Sequence, residues 1–163
     1  MAPILALHYR WLQHKTTQTG TQMNAPDKKL FLYKELSYIV QGCFFEIRKE
    51  YGPGHKESIY QNLLIEYLTN KQIKIEKEKL ISIYSNQTGK KVGSYKPDVI
   101  IDNKIIIELK SSRFTTKQDE IQLYHYLRNS KYEIGYLVNF STLKLYVKRI
   151  IYTNDRKPFL TKV

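Results

Sequence analysis

A single cysteine, Cys43, in 163 residues leaves no disulfide to form within the chain, and its neighbours Ile39, Val40, Phe44 and Phe45 put it on the apolar side of a helix. A reducing, cytoplasmic setting is the expectation. Four scattered histidines, His8, His14, His55 and His125, offer no zinc-type cluster with that one cysteine. No apolar run approaches the roughly 20 residues that span a bilayer, so no membrane partner is expected. Acids are scarce too. Fifteen Asp and Glu stand against 27 Lys and Arg, a net charge of +12 that favours a polyanionic partner or else reflects a Lys-rich solvated surface.

The first 26 residues contain no acid at all and pass through the polar stretch "QHKTTQTGTQMNAP". A secretory signal fits poorly, because "ILAL" is short for an apolar core and His8 and Arg10 follow at once; an organelle transit peptide stays open on composition. The preferred reading is a disordered or mis-assigned extension over residues 1–28, with Met23 as a candidate initiator. Residues 29–163 then form one folded domain, which is all that a chain of this length comfortably supports.

Along that domain, apolar positions from Lys29 to Glu50 (Phe31, Leu32, Leu36, Ile39, Val40, Cys43, Phe44, Ile47) recur at threes and fours, as on an amphipathic helix. "YGPG" at 51–54 ends it, and a second helix runs from about His55 to Lys71. "IKIEKEKLISIYS" then alternates with period two as a half-exposed strand. "VGSYKPDVIID" and "KIIIELK" read as two more strands about Asp102-Asn103-Lys104. A helix follows at about Thr116 to Asn129, then a buried strand at 133–140 and a last strand at 143–152. The order α-α-β-β-β-α-β-β predicts an α/β fold, a mixed sheet flanked by helices.

In "SYKPDVIIDNKIIIELKSS" (94–112), acids interrupt two apolar runs. Strand alternation sends Glu108 and Lys110 to one face and Ile107 and Leu109 to the other. A three-residue loop, Asp102 to Lys104, sets Asp98 opposite Glu108 on that same face; a two-residue loop would separate them. Opposed like charges destabilise a sheet, and a divalent cation such as Mg²⁺ relieves the conflict. The plainer alternative is a solvated face on which Lys110 pairs with one acid. Two further stretches carry polar groups in register: "GPGHKESIY", with Gly54, Glu57 and Tyr60 at a helix start, and "QLYHY", with Gln122 and Tyr126 one turn apart.

In order and spacing these stretches resemble the GxxExxY proteins, a family of the PD-(D/E)xK nuclease superfamily in its RecB-like branch, over residues 33 to 150. Pro97-Asp98 resembles the PD element, Glu108-Leu109-Lys110 the (D/E)xK element, and Gln122 to Tyr126 the Q-x-x-x-Y helix. The resemblance implies a restriction-endonuclease-like αβββαβ core with Glu57, Asp98 and Glu108 at a metal and the Leu109 carbonyl as a further ligand. Lys110 would position or activate the attacking water, and Gln122 and Tyr126 would face the DNA backbone or the lysine. It further implies a Mg²⁺-dependent nuclease, with Mn²⁺ able to substitute, whose partner is nucleic acid, DNA foremost.

The basic residues Lys90, Lys91, Lys96, Arg113, Lys117, Lys144, Lys148 and Arg149 would meet phosphates, and Tyr95, Phe114 and Tyr124 could stack on unpaired bases. Ser111 and Ser112 adjoin the acids, but no histidine lies at a spacing that would activate them. Two rival readings remain: a nucleic-acid-binding module without turnover and a protein-interaction subunit. A homodimer or an accessory protein partner is also left open.

Overall fold

The computed structural model describes residues 32–161; the expected extension over 1–28 and residues 29–31 of the expected first helix lie outside them. Helix α1 (Lys34–Tyr51) buries Val40, Cys43, Phe44 and Ile47, the three-and-four spacing of its sequence. It ends at Gly52, whose amide still donates to the Arg48 carbonyl at 3.1 Å and whose φ of 70° turns the chain out of the helix. Helix α2 (Glu57–Asn70) returns beside it and buries Tyr60, Gln61, Leu64 and Leu68. Among the described residues, no helix is long and apolar enough to cross a membrane.

The strands are β1 (Ile75–Lys77), β2 (Ile81–Tyr84), β3 (Lys91–Tyr95), β4 (Val99–Ile101), β5 (Ile105–Lys110), β6 (Ile134–Asn139) and β7 (Tyr146–Ile151), with helix α3 (Lys117–Arg128) between β5 and β6. Five of them form one sheet in the order β1-β4-β5-β6-β7. Only β5 and β6 run parallel; the other pairs are antiparallel, so the sheet is mixed as expected. Two strands expected to be continuous are broken. "IKIEKEKLISIYS" divides at Glu78, which takes a φ of 48°, and "VGSYKPDVIID" divides at Lys96-Pro97-Asp98. The outer pieces β2 and β3 pair only with each other, as a two-stranded sheet. Proline supplies no amide for a ladder, and alternation alone cannot report such a break. The chain also continues past β7 into a short 3₁₀ turn (Asn154–Arg156) and helix α4 (Pro158–Thr161), which the sequence pattern did not announce.

The large sheet has a core on each face. Ile105, Ile107 and Leu109 of β5 pack with α1 and α2, while Ile106 packs with Leu123, Tyr126 and Leu127 of α3. Glu108 and Lys110 therefore lie on the α3 face. Helix α3 is started by a capping box, the Thr116 hydroxyl accepting from the Asp119 amide and the Asp119 carboxylate accepting from the Thr116 amide at 2.8 Å. It can approach β6 closely because residue 135 is glycine: a β-carbon there would lie 2.6 Å from Leu123 Cδ1. That approach brings Gln122 and Tyr126 to the acids.

Candidate active site

The β4–β5 hairpin pairs Val99 with Ile107 and Ile101 with Ile105, leaving the three-residue connection 102–104. Asp102 and Asn103 both take left-handed backbone there, at φ of 48° and 53°. The ladder stops at Val99 and Ile107; Asp98, one residue beyond it, is near enough for its charge to act on Glu108. Asp98 is fixed in place: its Oδ2 accepts from the Leu109 amide at 2.6 Å, and its carbonyl accepts from Gln61 Nε2 at 3.0 Å. Gln61 is a buried side chain that the sequence reading passed over. Its signal was available, since it lies one helical turn after Glu57 on the same face of α2.

Glu108 is 4% exposed. Its Oε1 accepts from Lys110 Nζ and from Gln122 Nε2, both at 2.9 Å, whereas its Oε2 is buried with no partner among the described residues. Burial, and after it the charge of Asp98, push the Glu108 carboxyl up to about 7 against the pull of Lys110. Burial also raises Asp98, although the Leu109 amide opposes it. Burial likewise works against the ammonium of Lys110, but its hydrogen bond to Glu108 and the nearby acids outweigh it and hold it above the ordinary lysine range. These acids thus favour the ammonium form of Lys110.

Glu57 is exposed as a residue, yet its carboxyl is raised by burial and by the charge of Asp98, against the pull of Lys110 and of the Ser111 backbone. The three acids sense one another without closing around a point: among the described residues, no three His, Cys, Asp or Glu side chains are gathered tightly enough to enclose an ion. Their chemistry nonetheless fits a divalent cation. With all three ionised, three carboxylates against one ammonium leave two negative charges, and the partnerless Glu108 Oε2 is a hard oxygen donor held out of water.

Gln122 Nε2 also donates to the Tyr126 hydroxyl at 2.7 Å, so the two residues of "QLYHY" act as one arm against Glu108. Tyr60 does not enter the site. Its hydroxyl donates to the Gly52 carbonyl at 2.7 Å and its ring stacks on Phe140 at 4.5 Å, tying the "YGPG" turn to the core. The Ser111 hydroxyl donates to the main-chain carbonyl of His55, whose ring nitrogen Nε2 instead meets the Tyr51 carbonyl at 3.0 Å, so no serine–histidine pair exists here. Asn139, fully buried and also passed over in the sequence, donates to the Ser112 carbonyl at 3.0 Å and Thr115 Oγ1 at 3.1 Å, and pins the loop after β5. No sequence pattern marks it, because its partners come from another loop.

No curated protein matches the chain. The crystal structure of SSO0001 is similar at a TM-score of 0.48 and 20% identity, covering 93% of this chain and 79% of that one. A family model described as the PD-(D/E)XK nuclease superfamily matches residues 34–150, a span that takes in Asp98, Glu108, Lys110 and the arm of α3. The chain belongs to the PD-(D/E)XK nuclease superfamily.

Proposed function

We propose that residues 29–163 form a metal-dependent nuclease domain that hydrolyses phosphodiester bonds of nucleic acid, DNA foremost, and that it is of the GxxExxY, RecB-like kind. The observation that carries this reading is the buried, partnerless oxygen of Glu108 near a second raised acid. A folded chain keeps such a pair at a cost in stability, and perturbed acids in a cleft mark functional sites. Glu57, Asp98 and Glu108, with the Leu109 carbonyl, would hold the ion. Mg²⁺ or Mn²⁺, when bound, supplies a Lewis acid toward a phosphate oxygen and activates water.

The chain's own groups do the rest. Lys110, cationic through the working pH range, orients the attacking water and meets the negative charge that grows on the phosphate. Gln122 holds the Glu108 carboxylate in place, and Tyr126 holds Gln122. No covalent protein nucleophile is required.

The test is to incubate the purified protein with single-stranded and duplex DNA in Mg²⁺, Mn²⁺ or EDTA, beside Lys110→Ala. Cleavage should require metal and fall by about 100-fold or more in the variant. Normal turnover in Lys110→Ala, or cleavage indifferent to EDTA, would refute the mechanism. Salt-sensitive binding without any cleavage would favour the non-catalytic binding module.

A further inference from the structure

Beside Glu57 and Lys110 lies a shallow depression, open to solvent, that those side chains border. Its walls are the entry to α2 at His55 and Lys56, the exit from β5 at Ser111 to Arg113, and Ser141 after β6. These walls are cross-tied. Ser111 Oγ joins the His55 carbonyl and lies 2.9 Å from Ser141 Oγ, which accepts from the Gly54 amide at 3.2 Å. Asn139 anchors the Ser112 side from beneath. The hydroxyls are thus used in building the wall, and the charges on the rim are left for something else. Neither Lys56 nor Arg113 forms an ion pair with a described acid, in contrast to Lys96, Lys104, Lys110, Lys117 and Lys148.

The Arg113 guanidinium lies over the Phe114 ring, 5.4 Å from its centroid, and Phe114 is 69% exposed. The other two aromatic residues that the sequence offered for base stacking are spent on packing: Tyr95 lies 4.6 Å from the Tyr126 ring, and Tyr124 lies 5.3 Å from that of Tyr152. Phe114 alone of the three is mostly exposed, with the Arg113 guanidinium from the rim over one face of its ring.

We propose that this depression and the exposed Phe114 ring beside it form a nucleotide subsite flanking the scissile phosphate, in which Lys56 and Arg113 on its rim bind a backbone phosphate and Phe114, just outside it, stacks on an unpaired base. The substrate is accordingly an unpaired strand, because within a duplex both faces of a base are covered by its neighbours. The placement beside a scissile phosphate rests on the nuclease reading, but the subsite can be tested without turnover.

The experiment measures anisotropy of a labelled oligodeoxynucleotide, alone and annealed to its complement, in EDTA across a salt series, with the full chain and its Phe114→Ala, Arg113→Ala and Lys56→Ala variants. The wild type should prefer the single strand. Phe114→Ala should lose about tenfold on the single strand and nothing on the duplex, the size of one base–aromatic stack. Arg113→Ala and Lys56→Ala should each reduce the salt slope on the single strand by about 0.7, one phosphate contact apiece. A Phe114→Ala variant that binds both forms as the wild type does, or weakens on both alike, overturns the subsite, as does a wild type that binds neither. Binding as described, with no cleavage in Mg²⁺ or Mn²⁺, would remove the nuclease reading and leave the subsite standing.

Discussion

Replacing Glu108 by glutamine should make the metal-free protein more stable at pH 8 and not at pH 5. In the fold this carboxyl is raised from 4.5 to about 7, and at about 1.4 kcal/mol per unit its ionisation costs the folded state on the order of 3 kcal/mol. A group at 4% exposure leaves little room for solvent screening to reduce that figure. The sign follows from linkage: a folded-state value above the unfolded one means that the folded state binds the proton more tightly. The penalty is therefore absent well below 4.5, develops as pH rises, and is complete above 7.

Glutamine keeps an oxygen for Lys110 and Gln122 but sets an amide where Oε2 has no partner, at a cost of about 1–2 kcal/mol. The net gain at pH 8 is about 1–2 kcal/mol, which in a chain of this size raises the Tm by about 2–8 °C. At pH 5 the wild-type group is already protonated in the fold, and the gain should vanish or reverse. Thermal melts followed by circular dichroism in EDTA at the two pH values test this directly. Mg²⁺ added at pH 8 should stabilise the wild type and leave the variant unmoved. A variant that melts below the wild type by the same margin at both pH values would refute the argument, since Glu108 would then be an ordinary hydrogen-bonded acid.

Gln61→Ala removes the hydrogen bond to the Asp98 carbonyl; it should cost about 1 kcal/mol by denaturant titration and weaken the Mg²⁺-induced rise in Tm. Gly135→Ala puts a methyl group into Leu123 and should lift α3 away from the sheet. A loss of about 1–3 kcal/mol is expected, with a larger proportional loss of cleavage than of nucleic-acid binding, because Gln122 moves away from Glu108. Lys157→Met deprives the buried Ser130 and Tyr132 carbonyls of a donor now 2.8 and 2.6 Å away. The variant should lose about 2–4 kcal/mol, seen as a lower urea midpoint, with no change in how its stability responds to Mg²⁺.

The acids around Glu108 and the basic excess of the chain act in opposite directions on a polyanion. The site itself is acid-rich and would repel a polyanion, yet the chain as a whole carries a net charge of +12. Lys96, Lys117 and Lys148 are engaged with Glu78 and Glu120, so part of the basic surface is internally compensated. Lys56 and Arg113, at the mouth of the site, have no described acid to offset them. These two cations place positive charge beside the three acids.

The sequence by itself determined the local rules. The three-and-four spacing from Leu36 to Ile47 is enough for a helix, and Glu108 and Lys110 must share a face because a strand repeats every two residues. The three-residue connection at Asp102 to Lys104 was legible as one of two choices, and with it the nearness of Asp98 to Glu108. Tertiary structure alone decided what depends on contacts distant in the chain. Glu78 breaks a strand whose alternation runs on unchanged, because the two halves find different partners; Pro97, by contrast, marks its own break in the sequence. Gln61 and Asn139 look like ordinary polar residues until a carbonyl or a loop from elsewhere arrives within 3.0 Å. Tyr95, Phe114 and Tyr124 are alike as letters, yet two are packed and one is open, because burial belongs to the assembled surface and not to the residue. The charge of Glu108 was decided in the same way: periodicity placed the carboxylate, and the neighbours that remove its water set the pH at which it ionises.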